Sequence, residues 1–323
     1  MPMQKPCLID VLGAQQRIKP YLKPTPLHSY PAINDLIGAH IFIKHENVQP
    51  VGAFKVRGGI NLISQLSETE KRRGVITAST GNHGQSVAYA SRIFGVEARV
   101  VVPEGANPGK LAAMKAMGAE IIVHGKNFDE SRVHCERLAE KHNYRYIHPG
   151  NEPHLIAGVG TITLEILQEQ PEIQTIIVPF GGGSGASGAS IVAKALSPSI
   201  QILAVQSSAS PAGYQSWKQK KLVEAPNQTF AEGLATGTAF KLPQSILWKL
   251  LDDFILVSDD EILQAMVWML EKAHTLVEGA GAAPLAAAYK LRRKLKNQKV
   301  ALVCSGGNAS LKHLKMALDS IKD

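Results

Sequence analysis

The chain has 323 residues and 45% hydrophobic content, which is enough to bury a substantial core and to form two domains. Its net charge of +8 comes from 35 basic and 27 acidic residues, but only 6% of the residues are aromatic and no nucleic-acid-binding module is recognisable. Nucleic acid is therefore not an expected partner. The longest uncharged stretch, residues 173–193, is interrupted by Pro179 and by several glycines and serines, so no membrane span is expected.

The three cysteines, Cys7, Cys135 and Cys304, are odd in number and far apart. They lack the spacing of metal ligands or of a redox pair, and residues 1–7 contain no apolar run of signal-peptide length. Both features are typical of a protein in a reducing compartment. We therefore expect a cytoplasmic location.

Apolar, strand-like segments alternate with helical patterns along the chain, which is typical of parallel βαβ units. The predicted strands cover residues 40–44, 74–78, 98–102, 120–124, 144–147, 175–179, 201–205 and 300–304. The predicted helices cover residues 83–94, 108–117, 128–142, 155–168, 186–196 and 310–321. Several strands end in turns rich in glycine and serine. Because ligands of open α/β sheets bind beyond the carboxyl ends of the strands, we expect these turns to converge on one crevice.

Lys55 lies in a glycine-flanked turn, between Phe54 and Arg57. A lysine attacks a carbonyl carbon only when it is neutral, so its usual pKa of ~10.4 must be lowered by desolvation or by a nearby cation. Phe54 and Arg57 could supply these two effects, which makes Lys55 a candidate nucleophile. Taken alone, the turn also fits a solvated lysine at the start of a helix.

A second turn, residues 79–85, joins a predicted strand to a predicted helix and reads Ser-Thr-Gly-Asn-His-Gly-Gln. Backbone N–H groups at a helix start form a site for a carboxylate or a phosphate. Helix capping by Ser79 or Thr80 is the structural alternative. Capping explains one hydroxyl but not the whole run.

A third turn follows the strand 175–179 and consists of Gly181, Gly182, Gly183, Ser184 and Gly185. Successive glycine N–H groups can form a nest for a phosphate. Residues 183–188 also fit the dinucleotide pattern G-x-G-x-x-G, so a nicotinamide-dependent oxidoreductase is an alternative. That alternative requires an acidic residue at the end of the next strand, where Gln206 stands. The turn therefore favours a phosphate monoester.

Two further residues lie at element ends near the carboxyl end of the chain. Ser305 ends the last predicted strand, where its hydroxyl can reach the crevice or serve a structural turn. Glu278 begins a predicted helix, where its carboxylate can take part in the chemistry of the site or can simply complement the helix dipole. A lysine, an anion site, a phosphate nest and a strand-end hydroxyl together suit a phosphorylated aldehyde bound as a Schiff base. Pyridoxal phosphate meets each requirement.

With these motifs the sequence resembles the fold type II pyridoxal-phosphate enzymes, in particular the serine/threonine dehydratase (threonine ammonia-lyase) and serine racemase group. The resemblance covers nearly the whole chain and rests on residues 54–58, 79–85, 181–185 and 305–308. It implies an α/β, tryptophan synthase β-like fold with two doubly wound domains, mostly parallel sheets and an active site in the cleft between them. It also implies a large domain of residues 1–66 plus 150–323, a small mobile domain of residues 67–149, and a homodimer or tetramer.

The resemblance assigns roles to individual residues. Lys55 forms the Schiff base and Phe54 packs on the cofactor, while Ser305 meets the pyridine nitrogen. The other implied cofactor contacts are those of Asn82, Gly181, Gly182, Gly183, Ser184, Gly185 and Glu278. The implied substrate-binding residues are Ser79, Thr80, Asn82, His83 and Gly233.

The implied reaction is α,β-elimination, which converts L-threonine, L-serine or another β-hydroxy amino acid to a 2-oxo acid and ammonia. Lys55 is the implied base, and Thr80 stands where the racemases carry a serine that acts as the opposite acid. Racemisation is therefore the alternative, although β-branching restricts the rotamers of Thr80. The group's metal site uses carboxylates that residues 206–212 lack, so no metal is expected there. Gly150 replaces a larger side chain of relatives, and we expect it to leave room for a larger β-substituent.

Overall fold

The computed structural model describes residues 4–321, so the first three and the last two residues of the predicted large domain lie outside the described range. The strands are β1 (Leu27–Ser29), β2 (His40–His45), β3 (Val75–Ala78), β4 (Ala98–Val102), β5 (Glu120–Val123), β6 (Arg145–Tyr146), β7 (Thr175–Pro179), β8 (Gln201–Ser207), β9 (Asp253–Val257) and β10 (Lys299–Cys304). The helices are α1 (Leu8–Ile18), α2 (Pro31–Ile37), α3 (Lys55–Ile63), α4 (Glu68–Arg73), α5 (Asn82–Phe94), α6 (Pro108–Ala116), α7 (Phe128–His142), α8 (Pro153–Glu169), α9 (Ser184–Leu196), α10 (Ala212–Gln219), α11 (Lys241–Leu250), α12 (Asp259–Ala273), α13 (Gly279–Lys290), α14 (Arg292–Leu295) and α15 (Leu311–Asp319). Short 3-10 helices cover Glu46–Val48 and Glu232–Leu234.

The strands form two separate sheets. The first has the order β1-β2-β10-β7-β8-β9, and its pairs are parallel except for β1 with β2. The second has the order β5-β4-β3-β6 and is parallel throughout. Strands β3 and β7 are buried at every position, as expected where helices cover both faces of a sheet. This architecture confirms the predicted α/β class with two mostly parallel sheets.

Eight strands lie within two residues of their predicted bounds, but β1 and β9 were not predicted. Both form the edges of the six-stranded sheet. In β1 only Leu27 is buried, and in β9 only two of five residues are buried. The short β1 lacks the continuous apolar run that marks a central strand, whereas residues 254–257 of β9 are all apolar and were overlooked in the prediction.

The three motif turns and the Lys55 segment meet at the carboxyl ends of the strands. The turn 79–85 follows β3, the glycine loop 181–185 follows β7, and Ser305 follows β10. The Phe54 N–H donates to the Ser305 carbonyl oxygen at 3.0 Å, and Ala53 forms an isolated bridge with Gly306. Helix α3 therefore starts beside the end of β10. None of the helices within residues 4–321 combines the length and the apolar character needed to cross a membrane.

Candidate functional site

Lys55 is the first residue of α3, and its amine points towards the glycine loop. The Nζ atom donates a hydrogen bond to the Ser184 Oγ at 3.0 Å and lies 5.2 Å from the centre of the Phe54 ring. Burial of the amine lowers the pKa of Lys55 to about 8. Among the described residues no carboxylate pairs with this amine. The side chain is thus a desolvated amine that is neutral in a larger fraction than a surface lysine.

Arg57 does not act on Lys55 as the sequence analysis expected. Its Nε donates to the Glu46 Oε2 at 2.7 Å, and its Nη1 donates to the Glu165 Oε1 at 2.6 Å. Lys44 adds a second cation, with its Nζ 2.7 Å from the Glu165 Oε2. Because the two carboxylates of this buried network neutralise the guanidinium, Arg57 instead fixes the first turn of α3, the helix that begins at Lys55.

The turn before α5 keeps backbone donors available for a ligand. The first intrahelical bond runs from the Gln85 N–H to the Gly81 carbonyl oxygen at 3.2 Å, and the Ser79 Oγ accepts from the Gly84 N–H at 2.9 Å. The N–H groups of Asn82 and His83 come before Gln85, the first helical donor, and have no partner among the described residues. Ser79 therefore satisfies one N–H group of the first turn, and the remaining donors are free to bind an anion.

The His83 side chain lies in the core behind this turn. Its Nε2 is 3.0 Å from the Thr77 Oγ1, and burial, together with the charge of Lys55, lowers its pKa to about 3. The imidazole is therefore neutral and already hydrogen-bonded. The Nε2 atom of His83 is thus already used within the fold, whereas its backbone N–H is available to a substrate.

Asn82 and Glu278 meet across the boundary between the two sheets. The Asn82 Nδ2 donates to the Glu278 Oε1 at 2.8 Å, and the Asn82 Oδ1 accepts from the Asn308 Nδ2 at 2.8 Å. Burial raises the pKa of Glu278 to about 7. Asn308 belongs to the 305–308 motif, but nothing in the sequence predicted a role for it. Both ends of the Asn82 amide are thus held by residues from the six-stranded half.

The glycine loop fits a phosphate because side chains are sterically excluded from it. A Cβ on Gly181 would lie 2.1 Å from the Gly233 carbonyl oxygen, and Gly183 has a φ of +86°. The Phe54 ring packs beside Gly185, and its Cε2 atom would lie 3.4 Å from a Cβ at that position. Helix α9 begins at Ser184, so its dipole adds to the nest of N–H groups. Together with the desolvated Lys55, these residues fit a phosphorylated aldehyde.

Comparison with known proteins gives the same answer. The sequence model described as "Pyridoxal-phosphate dependent enzyme" matches residues 18–306. The chain belongs to the pyridoxal-phosphate dependent enzyme family. Its cofactor is therefore pyridoxal phosphate, which replaces the nicotinamide alternative raised by residues 183–188.

The matching proteins agree with the predicted group. The chain is 37% identical to the L-threonine ammonia-lyase of Thermotoga maritima over 302 residues, which are 93% of this chain and 75% of that protein. Maize serine racemase has 35% identity and a TM-score of 0.92, with 98% of both chains covered. The processed form of threonine deaminase isoform 2 from Solanum lycopersicum has 31% identity and a TM-score of 0.93, covering 98% of this chain and 92% of that one.

A cation that was not predicted from the sequence lies beside the turn 79–85. Lys110 of α6 forms an ion pair with Glu232, which precedes Gly233, and thereby links the two halves of the protein. Its Nζ lies 3.9 Å from where a Cβ on Gly81 would be, so it stands beside the start of α5. Thr80 lies half-buried in the same turn. No local motif marks Lys110, because only the tertiary fold brings it to the site.

The sequence departs from the pattern of the resembling group at Gly150 and at residues 206–212, which lack the carboxylates of that group's metal site. The expectation of free space at Gly150 is wrong, because a Cβ there would lie 2.1 Å from the Cδ2 of Phe240. Gln206 is buried, and its Oε1 accepts from the Tyr214 N–H at 3.1 Å. Residues 4–321 contain no cluster of three or more His, Cys, Asp or Glu side chains arranged for a metal ion. The predicted absence of a metal remains a prediction.

Proposed function

We propose that this chain is an ammonia-lyase that converts L-threonine or L-serine to a 2-oxo acid and ammonia by α,β-elimination. The observation that carries the proposal is the Lys55 amine, which is desolvated, has a lowered pKa and lies 3.0 Å from the Ser184 Oγ in the glycine loop. Similarity to the Thermotoga maritima L-threonine ammonia-lyase supports the choice of reaction. Other small β-hydroxy amino acids belong to the same substrate class.

The residues around Lys55 have distinct proposed roles. The N–H groups of Asn82 and His83, with Ser79 and Thr80 beside them, bind the substrate carboxylate. Phe54 packs on the cofactor ring, and Ser305 hydrogen-bonds its ring nitrogen. The cofactor phosphate binds to Gly181, Gly182, Gly183, Ser184 and Gly185. Asn82, beside the four-stranded sheet, and Glu278, beside the six-stranded sheet, contact the cofactor ring, and Gly233 borders the substrate.

Bound pyridoxal phosphate supplies an electron sink for the negative charge that develops at the substrate Cα. Lys55 takes the Cα proton, for which its neutral form is needed, and a pKa of about 8 makes that form available near neutral pH. The Cβ–O bond then breaks, and the hydroxyl group leaves with one proton as water. Hydrolysis of the released enamine gives the 2-oxo acid and ammonia, so that one water is lost and one is consumed.

A substrate panel with detection of the 2-oxo acid tests this proposal. We expect L-threonine and L-serine to give stoichiometric 2-oxo acid and ammonia. The Lys55→Ala variant serves as the matched blank. Absence of 2-oxo acid from every β-hydroxy amino acid, with the cofactor bound, would overturn the proposal.

Serine racemisation is the second candidate, and the maize racemase similarity favours it. A racemase needs a second acid on the substrate face opposite Lys55, and Thr80 is the hydroxyl proposed for that position. We expect D-serine formation to be slow and to rise in Thr80→Ser, because serine has freer rotamers. Thr80→Ala is the control. Equal D-serine formation in all three proteins would remove Thr80 from this role.

We further propose two domains, residues 1–66 plus 150–323 and residues 67–149, with the second one mobile. The division is supported by the separation of the sheets, since β3–β6 all fall within residues 67–149. The Lys110–Glu232 pair then closes the cleft between the domains. Glu232→Gln should favour the open form, which small-angle scattering with and without substrate would detect.

We also propose a cytoplasmic homodimer or homotetramer. All three cysteines are free thiols, as in a reducing compartment. Val48 and Leu276 are exposed apolar side chains on adjacent segments, since the Asn47 Nδ2 donates to the Leu276 carbonyl oxygen at 3.2 Å. Light scattering of the wild type and of Val48→Asp tests whether this surface joins subunits.

A further inference from the structure

The Phe240 ring occupies a slot between two glycines at the strand ends. A Cβ on Gly150 would lie 2.1 Å from its Cδ2, and a Cβ on Gly182 would lie 2.9 Å from its Cε2. One edge of the ring therefore rests against two bare backbones. Gly150 follows β6 of the four-stranded sheet, whereas Gly182 follows β7 of the six-stranded sheet.

Other contacts hold the ring in this slot. Phe240 directly precedes α11, and its ring meets His148 edge-to-face with 4.9 Å between centroids. The Leu242 N–H donates to the Asn151 Oδ1 at 3.0 Å, which ties the start of α11 to the turn that contains Gly150. The ring position is thus fixed by the backbone on both sides, and Phe240 is only partly buried.

The slot adjoins the site around Lys55. Gly182 lies within the glycine loop, two residues before the Ser184 hydroxyl that contacts Lys55. Gly150 stands at the carboxyl end of β6, which is the neighbour of β3 and hence of the turn 79–85. We expect a substrate held between that turn and Lys55 to direct its side chain towards the wall that these two loops and the ring form.

We propose that Phe240 sets the substrate specificity of this site by filling the space next to the substrate β-carbon. The inference rests on the proposed ammonia-lyase function and narrows it to small β-substituents, hydrogen in serine and methyl in threonine. A phenyl substituent is the same size as the Phe240 ring and competes with it for the slot. The side chain that fills this wall is that of Phe240, and residue 150 must remain glycine because a Cβ there would overlap the Phe240 ring.

The test compares kcat/KM for L-threo-phenylserine and L-threonine in the wild-type holoenzyme and in Phe240→Ala. We expect the phenylserine-to-threonine ratio to rise by more than about tenfold, since one group in an apolar pocket gives discrimination of that order. Phe94→Ala removes a similarly half-buried ring from the far end of α5 and should leave the ratio unchanged. An unchanged phenylserine-to-threonine ratio in a folded Phe240→Ala protein would overturn the inference. If Phe240→Ala does not fold, the same comparison is made with Phe240→Leu.

A binding measurement separates this inference from the proposed reaction. L-phenylalanine and L-alanine lack a β-hydroxyl and cannot undergo the elimination, so their affinities are read from the change in cofactor absorbance. We expect Phe240→Ala to raise the L-phenylalanine affinity relative to L-alanine. If no β-hydroxy amino acid is deaminated, the proposed function fails, but the ratio of the L-phenylalanine and L-alanine affinities still tests the role of Phe240. Equal affinity ratios in the wild type and in Phe240→Ala would refute that role.

The packing itself has an independent readout. Gly150→Ala should lower the Tm in the wild-type background, because the new Cβ meets the ring at 2.1 Å. In the Phe240→Ala background the same substitution should have a much smaller effect. The combined variant Gly150→Phe/Phe240→Gly returns a ring to the slot from the opposite segment and should restore discrimination against phenylserine. Additive Tm changes would show that the two positions do not share this space.

Discussion

The Asn82 amide and the Glu278 carboxyl group form a 2.8 Å hydrogen bond between the two halves of the protein. Asn82 starts α5 beside the four-stranded sheet, and Glu278 precedes α13 beside the six-stranded sheet. Glu278 is almost fully buried, so the bond places an ionisable group at the boundary where the cofactor is proposed to bind. Its protonation state is therefore coupled to folding and to contact between the halves.

We expect Glu278→Gln to change how stability depends on pH. The folded pKa of Glu278 is raised from 4.5 to about 7, so its stabilising contribution is complete below pH 4.5 and is lost as the pH rises through 7. One pKa unit corresponds to about 1.4 kcal/mol, which limits the loss to about 3 kcal/mol. Tm measured from pH 5 to 8.5 should fall less in the variant than in the wild type. Glu169→Gln alters an exposed carboxylate and is the control, and parallel curves for wild type and Glu278→Gln would contradict this coupling.

Lys55→Ala should abolish both the cofactor's covalent attachment and turnover. Reduction with borohydride should fix the cofactor to the wild type but not to the variant, as mass spectrometry of the tryptic peptide would show. Because the neutral amine reacts, the rate of cofactor capture by apoenzyme should rise through pH 8 rather than through ~10.4. Lys71→Ala, which alters a surface ion pair, is the control. Activity retained in Lys55→Ala would mean that another lysine attaches the cofactor.

Arg57→Met should destabilise the protein strongly, because it leaves Glu46 buried without its main cation. Loss of one partner from a buried ion pair costs about 3 to 5 kcal/mol, whereas an exposed pair such as Arg132–Glu136 contributes less than about 1 kcal/mol. Denaturant unfolding of Arg57→Met and Arg132→Met measures the difference. The double variant Arg57→Met/Glu46→Gln should recover part of the loss, and equal losses in the single and double variants would argue against the buried charge as the cause.

Much of the fold and the location of the site could be predicted from the sequence, because both depend on local patterns. Buried parallel strands such as β3 and β7 are continuous apolar runs, and the glycine loop and the 79–85 turn are short motifs. Their convergence follows from a general property of α/β sheets. Edge strand β1 is too short and exposed to show this pattern, whereas the apolar residues 254–257 of β9 do show it and were overlooked.

Side-chain partners across the fold could not be predicted in the same way. Arg57 stands two residues from Lys55 in sequence, yet its charge is used by Glu46 and Glu165 from distant segments. Phe240 fills the space at Gly150 although 90 positions separate them. Such pairings depend on tertiary geometry that neither spacing nor composition encodes.

Ser305 has a buried hydroxyl at the end of β10, where it is proposed to meet the cofactor ring nitrogen. A neutral hydroxyl leaves that nitrogen largely unprotonated and weakens the electron sink, whereas a carboxylate would keep it protonated. A shallower sink favours rapid loss of the β-hydroxyl over slower competing outcomes such as transamination.

We therefore expect Ser305→Asp to lower the share of substrate that is eliminated and to raise the share that is racemised or transaminated. Chiral chromatography of recovered serine, together with 2-oxo acid and pyridoxamine phosphate assays, gives the product balance. Ser305→Asn introduces similar bulk without a charge, so it separates electronic effects from packing, and cofactor absorbance monitors occupancy in each variant. If Ser305→Asp and Ser305→Asn keep the wild-type product balance with full cofactor occupancy, the nitrogen contact of Ser305 does not control the partition between these reactions.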